Sequence, residues 1–219
     1  MARTKQLQEQ PQHLHLDLFA PGLTSLHRAG LAGLWLTLDH FEHQRISIPG
    51  GTWEKDERSI TLHWDHRPEP FLEGLIAQTF RLDDHGLIWF APLGQPIEHP
   101  QSSVLLHEAL LGTFLQNGRT RKALKEPRTL VAEIDEKPWT FTFKSLTSYA
   151  HQEVAELIFK GGVESPQELA GWLFPGGVVR YTGFSKDSAF FEIGGRLLLL
   201  LYAPIGGVYF RVRQRKEGA

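Results

Sequence analysis

The chain has no cysteine and only one methionine in 219 residues. Without thiols it can form no disulfide and offers no thiolate to a metal. That excludes the small stapled secreted folds and cysteine-based zinc sites, and makes a cytoplasmic home the simplest expectation. Long apolar runs are also missing: the longest, Leu197 to Pro204, has strand length and falls far short of a membrane span. Residues 1–12, MARTKQLQEQPQ, lack the apolar core of a signal peptide and read as a flexible tail. Neither GxxxxGKS/T nor a GxGxxG following a strand occurs, so the common phosphate cradles are absent. HExxH and GxSxG are absent too, and Gly183-Phe184-Ser185 lacks the spacing of a nucleophile elbow.

What is present suits an ordinary globular protein, with 41% hydrophobic and 22% charged residues and enough length for a full core. The net charge of −2 is unevenly spread, with a balance of −5 over residues 1–100 and +3 over the remainder. A free-standing nucleic-acid binder is usually more basic than this, whereas a subunit touching nucleic acid along one edge fits.

The most strongly patterned stretch is Leu23–Phe41, LTSLHRAGLAGLWLTLDHF. Leu23, Leu26, Leu34, Leu38 and Phe41 recur at helical spacing, and Thr24 or Ser25 supplies the cap. Ala29, Gly30, Ala32 and Gly33 interrupt that face with small residues, at about 1 kcal/mol for each Gly against Ala. Such a face fits close approach of a second backbone, either a sheet or a bound nucleic acid, and a core helix lying on a sheet is the expected case.

Alternation predicts strands at His13–Phe19 and Ser59–Trp64, a turn at Pro49-Gly50-Gly51 and a helix from Pro70 through FLEGLIAQTF. A turn at Asp84-His85-Gly86 leads into a strand, LIWF, and a second clear helix starts at Ser102 or Ser103 and closes at Asn117-Gly118. A strand is expected around KPWTFTFK, a helix over Ser148–Phe159, and another opening at Ser165-Pro166 through QELAGWLF. The remainder reads as strands: GVVRYTGF, SAFFEIG, RLLLLLYAP and VYFRVR, the last two joined at Gly206-Gly207. The fold class is therefore α+β: a mixed, largely antiparallel sheet with several packed helices and a β-rich C-terminal third. Residues 13–219 read as one domain, with a possible sub-boundary near Pro127.

Eleven histidines invite a metal site, but His13/His15, His40/His43 and His63/His66 match no metal-ligand pattern, so no metal or other cofactor is expected. An enzyme is the weaker reading, with a hydrolase using His63 or His66 and a carboxylate as the alternative, and a pure protein-interaction scaffold as the third.

The features that favour nucleic acid are cationic. Arg119, Arg121, Lys122, Lys125 and Arg128 stand against a single Glu126, on an expected loop after a helix stop. Guanidinium and ammonium groups there can neutralise phosphates, and Asn117 can reach a base edge. The competing reading is a solvated loop with favourable charges at a helix C-terminus. Pro175-Gly176-Gly177 leads to Arg180, Tyr181 and Lys186. Arg211 to Lys216 forms a basic C-terminal strand, either a phosphate track or an edge protected against aggregation. His27-Arg28 sit in the first turn of the opening helix, where an anion would be welcome, although Arg28 can equally pair with a nearby Asp.

LFAPGLTSLHRAGLAGLWLTL resembles the N-terminal signature of the large subunit (the Cas-eight family) of type I CRISPR surveillance complexes, in the branch of the fruiting-body developmental T protein. LLHEALLGTFLQNGRTRK, GWLFPGGVVRYTGFS and LLLLLYAPIGGVYFRVR agree with it in order along the chain. The resemblance implies a non-catalytic Cascade subunit, part of a cytoplasmic ribonucleoprotein in antiviral defence. It would contact the 5′ handle of the guide RNA and inspect the flanking motif of target double-stranded DNA (PAM recognition). It would also meet other Cascade subunits and dock a downstream helicase-nuclease or a transposition adaptor, with no membrane involved. Such subunits usually continue into a helical bundle. This chain stops after RVRQRKEGA, so that bundle is expected as a separate polypeptide, or the chain is a fragment.

Overall fold

The computed structural model describes residues 12–94, 100–134, 136–152, 162–175 and 191–207. Four α-helices and eleven strands lie among them, and every sheet is antiparallel, so the fold is α+β.

The largest sheet has three strands in the order β1 (His13–Asp17), β3 (Ser59–Trp64), β2 (Gly51–Lys55). Period-two alternation sets Leu14 opposite Leu62 and Leu16 opposite Ile60, which puts one apolar face on the core. The other face carries polar pairs, with His15 Nδ1 2.9 Å from Thr61 Oγ1. Strand β2 is an addition to the expected elements: GTWEK, which leaves the expected turn at Pro49-Gly50-Gly51, is an edge strand with Trp53 opposite Leu62.

Helix α1 (Ser25–Gln44) follows the expected span. Thr24 caps it, and His27 Nδ1 accepts from the Thr24 amide at 3.2 Å, so two otherwise unpaired donors are satisfied reciprocally. The helix stops where Arg45 takes a left-handed conformation (φ 55°) and Ile46 N donates to Phe41 O at 2.8 Å. Leu31, Leu34, Leu38 and Phe41 are buried along one stripe.

The backbone that approaches the glycines of α1 belongs to another helix, α4 (Gly194–Gly206). A Cβ on Gly30 would overlap the Leu199 carbonyl, and one on Gly206 would overlap the Ala29 carbonyl. This corrects the expected strand RLLLLLYAP and the hairpin turn at Gly206-Gly207. The segment is buried almost all round, with Leu198, Leu200, Leu201 and Tyr202 wholly inaccessible, so no polar face reveals a helical period. Five consecutive leucines lack the β-branching that favours strands. Pro204 lies inside the helix and costs about 3 kcal/mol in an interior position. Full burial of each leucine contributes about 1.5–3 kcal/mol, so packing outweighs the proline. Gly194 and Gly195, at the junction of the expected strands SAFFEIG and RLLLLLYAP, open the same helix.

Helix α2 (Pro68–Thr79) has proline at its start and Glu69 in its first turn, as the N-terminal dipole favours. Its end runs directly into β4 (Phe80–Leu82), which pairs with β5 (Ile88–Phe90). Thr79 Oγ1 donates to Leu75 O at 2.6 Å and meets the Tyr202 hydroxyl at 3.1 Å, linking α2 to α4 inside the core.

Two other expected helices are corrected. Leu146–Tyr149 is strand β9, paired with β6 (Arg121–Ala123), and 150–152 form one 3-10 turn; the rest of the expected Ser148–Phe159 helix lies outside the described residues. Pro166–Glu168 is strand β10, paired with β11 (Phe191–Ile193). Eight residues of QELAGWLF are too few to hold a helix without tertiary support, whereas an edge strand accepts proline as its first residue.

Candidate nucleic-acid interface

The basic segment follows α3 (Pro100–Gly112), which ends about one turn before the expected stop at Asn117-Gly118. After Gly112 the chain folds back so that Leu115 N donates to Leu110 O at 2.9 Å, and Phe114 and Leu115 enter the core. Asn117 does not end α3. Its side-chain oxygen accepts from Arg119 N at 3.0 Å and shapes the single 3-10 turn Gly118–Thr120. A base-edge contact by Asn117 would therefore compete with this turn.

Part of what reads as a loop is strand: β6 (Arg121–Ala123). In β6, Arg121 lies opposite Tyr149 and Lys122 opposite Ser148. Successive side chains alternate, so the two cations part company. Arg121 turns inward, and its guanidinium donates to Leu111 O at 3.0 Å and to Leu115 O, closing the exposed carbonyl end of α3. Lys122 turns outward, and Arg119, Lys125 and Arg128 are exposed with it. Arg128 also donates to Asp84 O at 2.9 Å.

Beyond this strip the chain rises into a hairpin arm, β7 (Arg128–Ile134) and β8 (Lys137–Phe143). Its root is fixed by a buried histidine. His107 of α3 accepts from Ile88 N at 3.1 Å and donates from Nε2 to Lys144 O at 2.8 Å, joining α3, β5 and the chain leaving β8. Burial pushes the His107 pKa down, partly offset by the bond to Lys144 O, so the neutral ring makes these bonds at neutral pH. Ser145 Oγ donates to His85 O at 2.6 Å, and Leu146 N to Gly86 O at 2.9 Å. Gly86 has φ +76°, and a Cβ there would strike Ser145 and Leu146, so this docking needs glycine. At the level of sequence His107 had no role and Gly86 only that of a turn residue; their long-range partners give both a part in docking the arm.

Arg28 is exposed on the first turn of α1, where its Nε donates to Leu18 O at 3.3 Å; among the described residues no carboxylate pairs with it. Its neighbour His27 is not a surface cation. It is buried, helps cap α1 and lies 3.5 Å from Glu192 Oε2, with its pKa lowered chiefly by burial. Arg180, Tyr181, Lys186 and Arg211–Lys216 fall outside the described residues. For the hydrolase alternative, His63 faces another ring, His13, at 6.1 Å, and no ion pair to His63 or His66 occurs among the described residues. No helix among the described residues is long and apolar enough to cross a membrane.

Comparison with known proteins accounts for most of the chain. Residues 15–201 match the DevT N-terminal domain family. A relative from Myxococcus xanthus (strain DK1622), the CRISPR-associated protein Cas8a1/Csx13, is 27% identical over 221 residues, covering 95% of this chain. The chain spans 38% of that relative's length. With the matched region running from the first strand through most of α4, and so through both crossing helices and the arm, this chain belongs to the DevT N-terminal domain family.

Proposed function

We propose that this protein is a non-catalytic subunit of a type I CRISPR complex that targets DNA with a guide RNA. It contacts the 5′ handle of the guide and the motif flanking the target, and it docks neighbouring subunits and a downstream helicase-nuclease or transposition adaptor. The observation that carries the reading is the exposed basic strip of Arg119, Lys122, Lys125 and Arg128, interrupted only by Glu126, in a member of this family. The CRISPR-associated relative from Myxococcus xanthus supports the same reading. Phosphates are the groups such a strip suits best, since several exposed cations in sequence displace condensed counterions on binding.

Within this proposal Arg119, Lys122 and Lys125 touch phosphates, while Arg121 holds the strip against α3 and acts as a positioning residue. Arg180, Tyr181 and Lys186 are a second group of proposed contacts and Arg28 a further one, and Asn117 meets a base only if its turn opens. The test is reconstitution with the other subunits of the native operon. Short RNA of uniform length should co-elute, and Ala at Arg119, Lys122 and Lys125 together should weaken target binding. The same change should flatten the log–log salt slope by about 0.9 per lost phosphate contact. An assembled complex whose affinity and slope are unchanged by the three substitutions overturns the assignment of the strip.

A further inference from the structure

The β7–β8 arm has two chemically different faces. Residues directly opposite on antiparallel strands point the same way, so Arg128 with Phe143, Leu130 with Phe141, and Ala132 with Trp139 share one face, joined by Lys137. At the root this face belongs to the body: Phe143 is buried with Leu87 and Val104, and Leu130 and Phe141 pack partly against them. Four residues further along, about 13 Å by strand rise, that cover has run out, and Trp139 is 52% exposed with Lys137 exposed beside it. The opposite face holds Thr129 with Thr142, Val131 with Thr140 and Glu133 with Pro138. The acids Glu133 and Glu136 are thus on the far face and in the turn, and the face with the indole carries cations only, among the described residues.

An indole standing clear of the core costs free energy in water unless something covers it. The charge sorting indicates what does. A π-face with Lys137 two residues away on its own strand, and Arg128 at the root of the same face leading into the basic strip, has the composition of a surface that stacks a base while holding its backbone. We propose that Trp139 is a stacking platform for an unpaired base, and that the arm holds a single-stranded segment whose phosphates run along Lys137, Arg128 and the strip below. This rests on the nucleic-acid-binding reading above and adds to it the strandedness of the ligand and the residue that senses it. A duplex, with its bases stacked on one another, offers the indole nothing.

The experiment uses the full chain and fluorescein-labelled oligonucleotides of about 15 nucleotides, within the range of single-strand site sizes. The probes are single-stranded RNA, single-stranded DNA and duplex DNA of one mixed sequence, and affinity is read by anisotropy between about 50 and 200 mM salt. Trp139→Ala should weaken single-strand binding about tenfold with an unchanged salt slope and leave duplex affinity within about twofold. Trp139→Phe should retain most of the single-strand affinity, with both variants melting as the parent does. A larger loss on RNA assigns the segment to the guide, and a larger loss on DNA assigns it to an opened target. Unchanged single-strand affinity in Trp139→Ala overturns the platform and leaves the indole to a protein neighbour. An equal loss on duplex overturns it as well. If the parent chain binds none of the three probes, the nucleic-acid reading falls together with the platform, whereas failure of the tryptophan variant alone leaves that reading standing.

Discussion

At the crossing of α1 and α4 two backbones come so close that Gly30, Gly33 and Gly206 have no room for a Cβ, whereas on the β7–β8 arm Val131 and Trp139 stand 63% and 52% exposed. The first region spends the helix-weakening cost of glycine to gain close packing; the second leaves an aromatic in water. The difference separates residues whose packing is met within the fold from residues that the fold leaves exposed. At the crossing Leu34 and Leu38 of α1 and Leu198 and Leu201 of α4 are buried inside the molecule. At the arm the root is locked by His107, Ser145 and Gly86 while the distal face is unmatched. The body thus fixes the root of an arm whose distal face it leaves exposed.

The strongest way to break this comparison is at Gly30. Alanine there should raise helix propensity by about 1 kcal/mol, yet its Cβ would overlap the Leu199 carbonyl. Gly30→Ala should therefore destabilise, and Gly30→Val should cost more than about 3 kcal/mol, read from urea midpoints. Gly112, at the end of α3 with nothing near its missing Cβ, is the control and should tolerate alanine. A stabilised Gly30→Ala would show that the helices do not cross as tightly as described.

The second test concerns His151, wholly buried among Phe80, Phe114, Tyr149 and Trp172. Neither ring nitrogen has a hydrogen-bond partner among the described residues, and burial pushes its pKa down from 6.5 to about 3. The unfolded chain takes up a proton near 6.5 that the folded chain refuses until about 3. The stability from this group is therefore complete above about 6.5 and is lost as pH falls toward 3, at up to about 1.4 kcal/mol per pH unit. His151→Phe should flatten the fall in stability between pH about 6 and 4. An undiminished slope would mean that the ring is solvated.

The smallest effect sharpens the division within the basic strip. Arg121→Met should cost about 1–3 kcal/mol because it leaves the Leu111 and Leu115 carbonyls without their donor. Lys125→Met, on an exposed side chain, should stay within about 0.5 kcal/mol. Equal effects would erase the distinction between a cation that supports the strip and one that faces outward.

How much of this was legible in the sequence varies element by element. Helix α1, its Thr24 cap and the strands β1 and β3 were visible because each has one wet face, which writes a period of 3.6 or 2 into the residues. The expected lineage is borne out by the family match over residues 15–201. Helix α4 was illegible for the opposite reason: buried on every side, LLLLLY carries no period, and its glycines and Pro204 imitate strand punctuation. The segment at Pro166 failed differently, since a good helix start was overruled by pairing with Phe191–Ile193, more than twenty residues away.

The candidate site shows the same limit. That Arg119, Arg121, Lys122, Lys125 and Arg128 form a basic run is a property of the sequence alone, as is the absence of cysteine. Which of those cations faces outward depends on β6 being a strand, and that depends on β9 pairing with it. The sequence by itself determined the composition, the amphipathic elements with one solvent face and the small-residue stripe of α1, because these are local facts about side-chain order. Only the tertiary structure decided what meets that stripe, why Arg121 differs from Lys122, and that Trp139 is left uncovered. Those answers rest on contacts between residues far apart in the chain, where packing and burial free energies outweigh local preference.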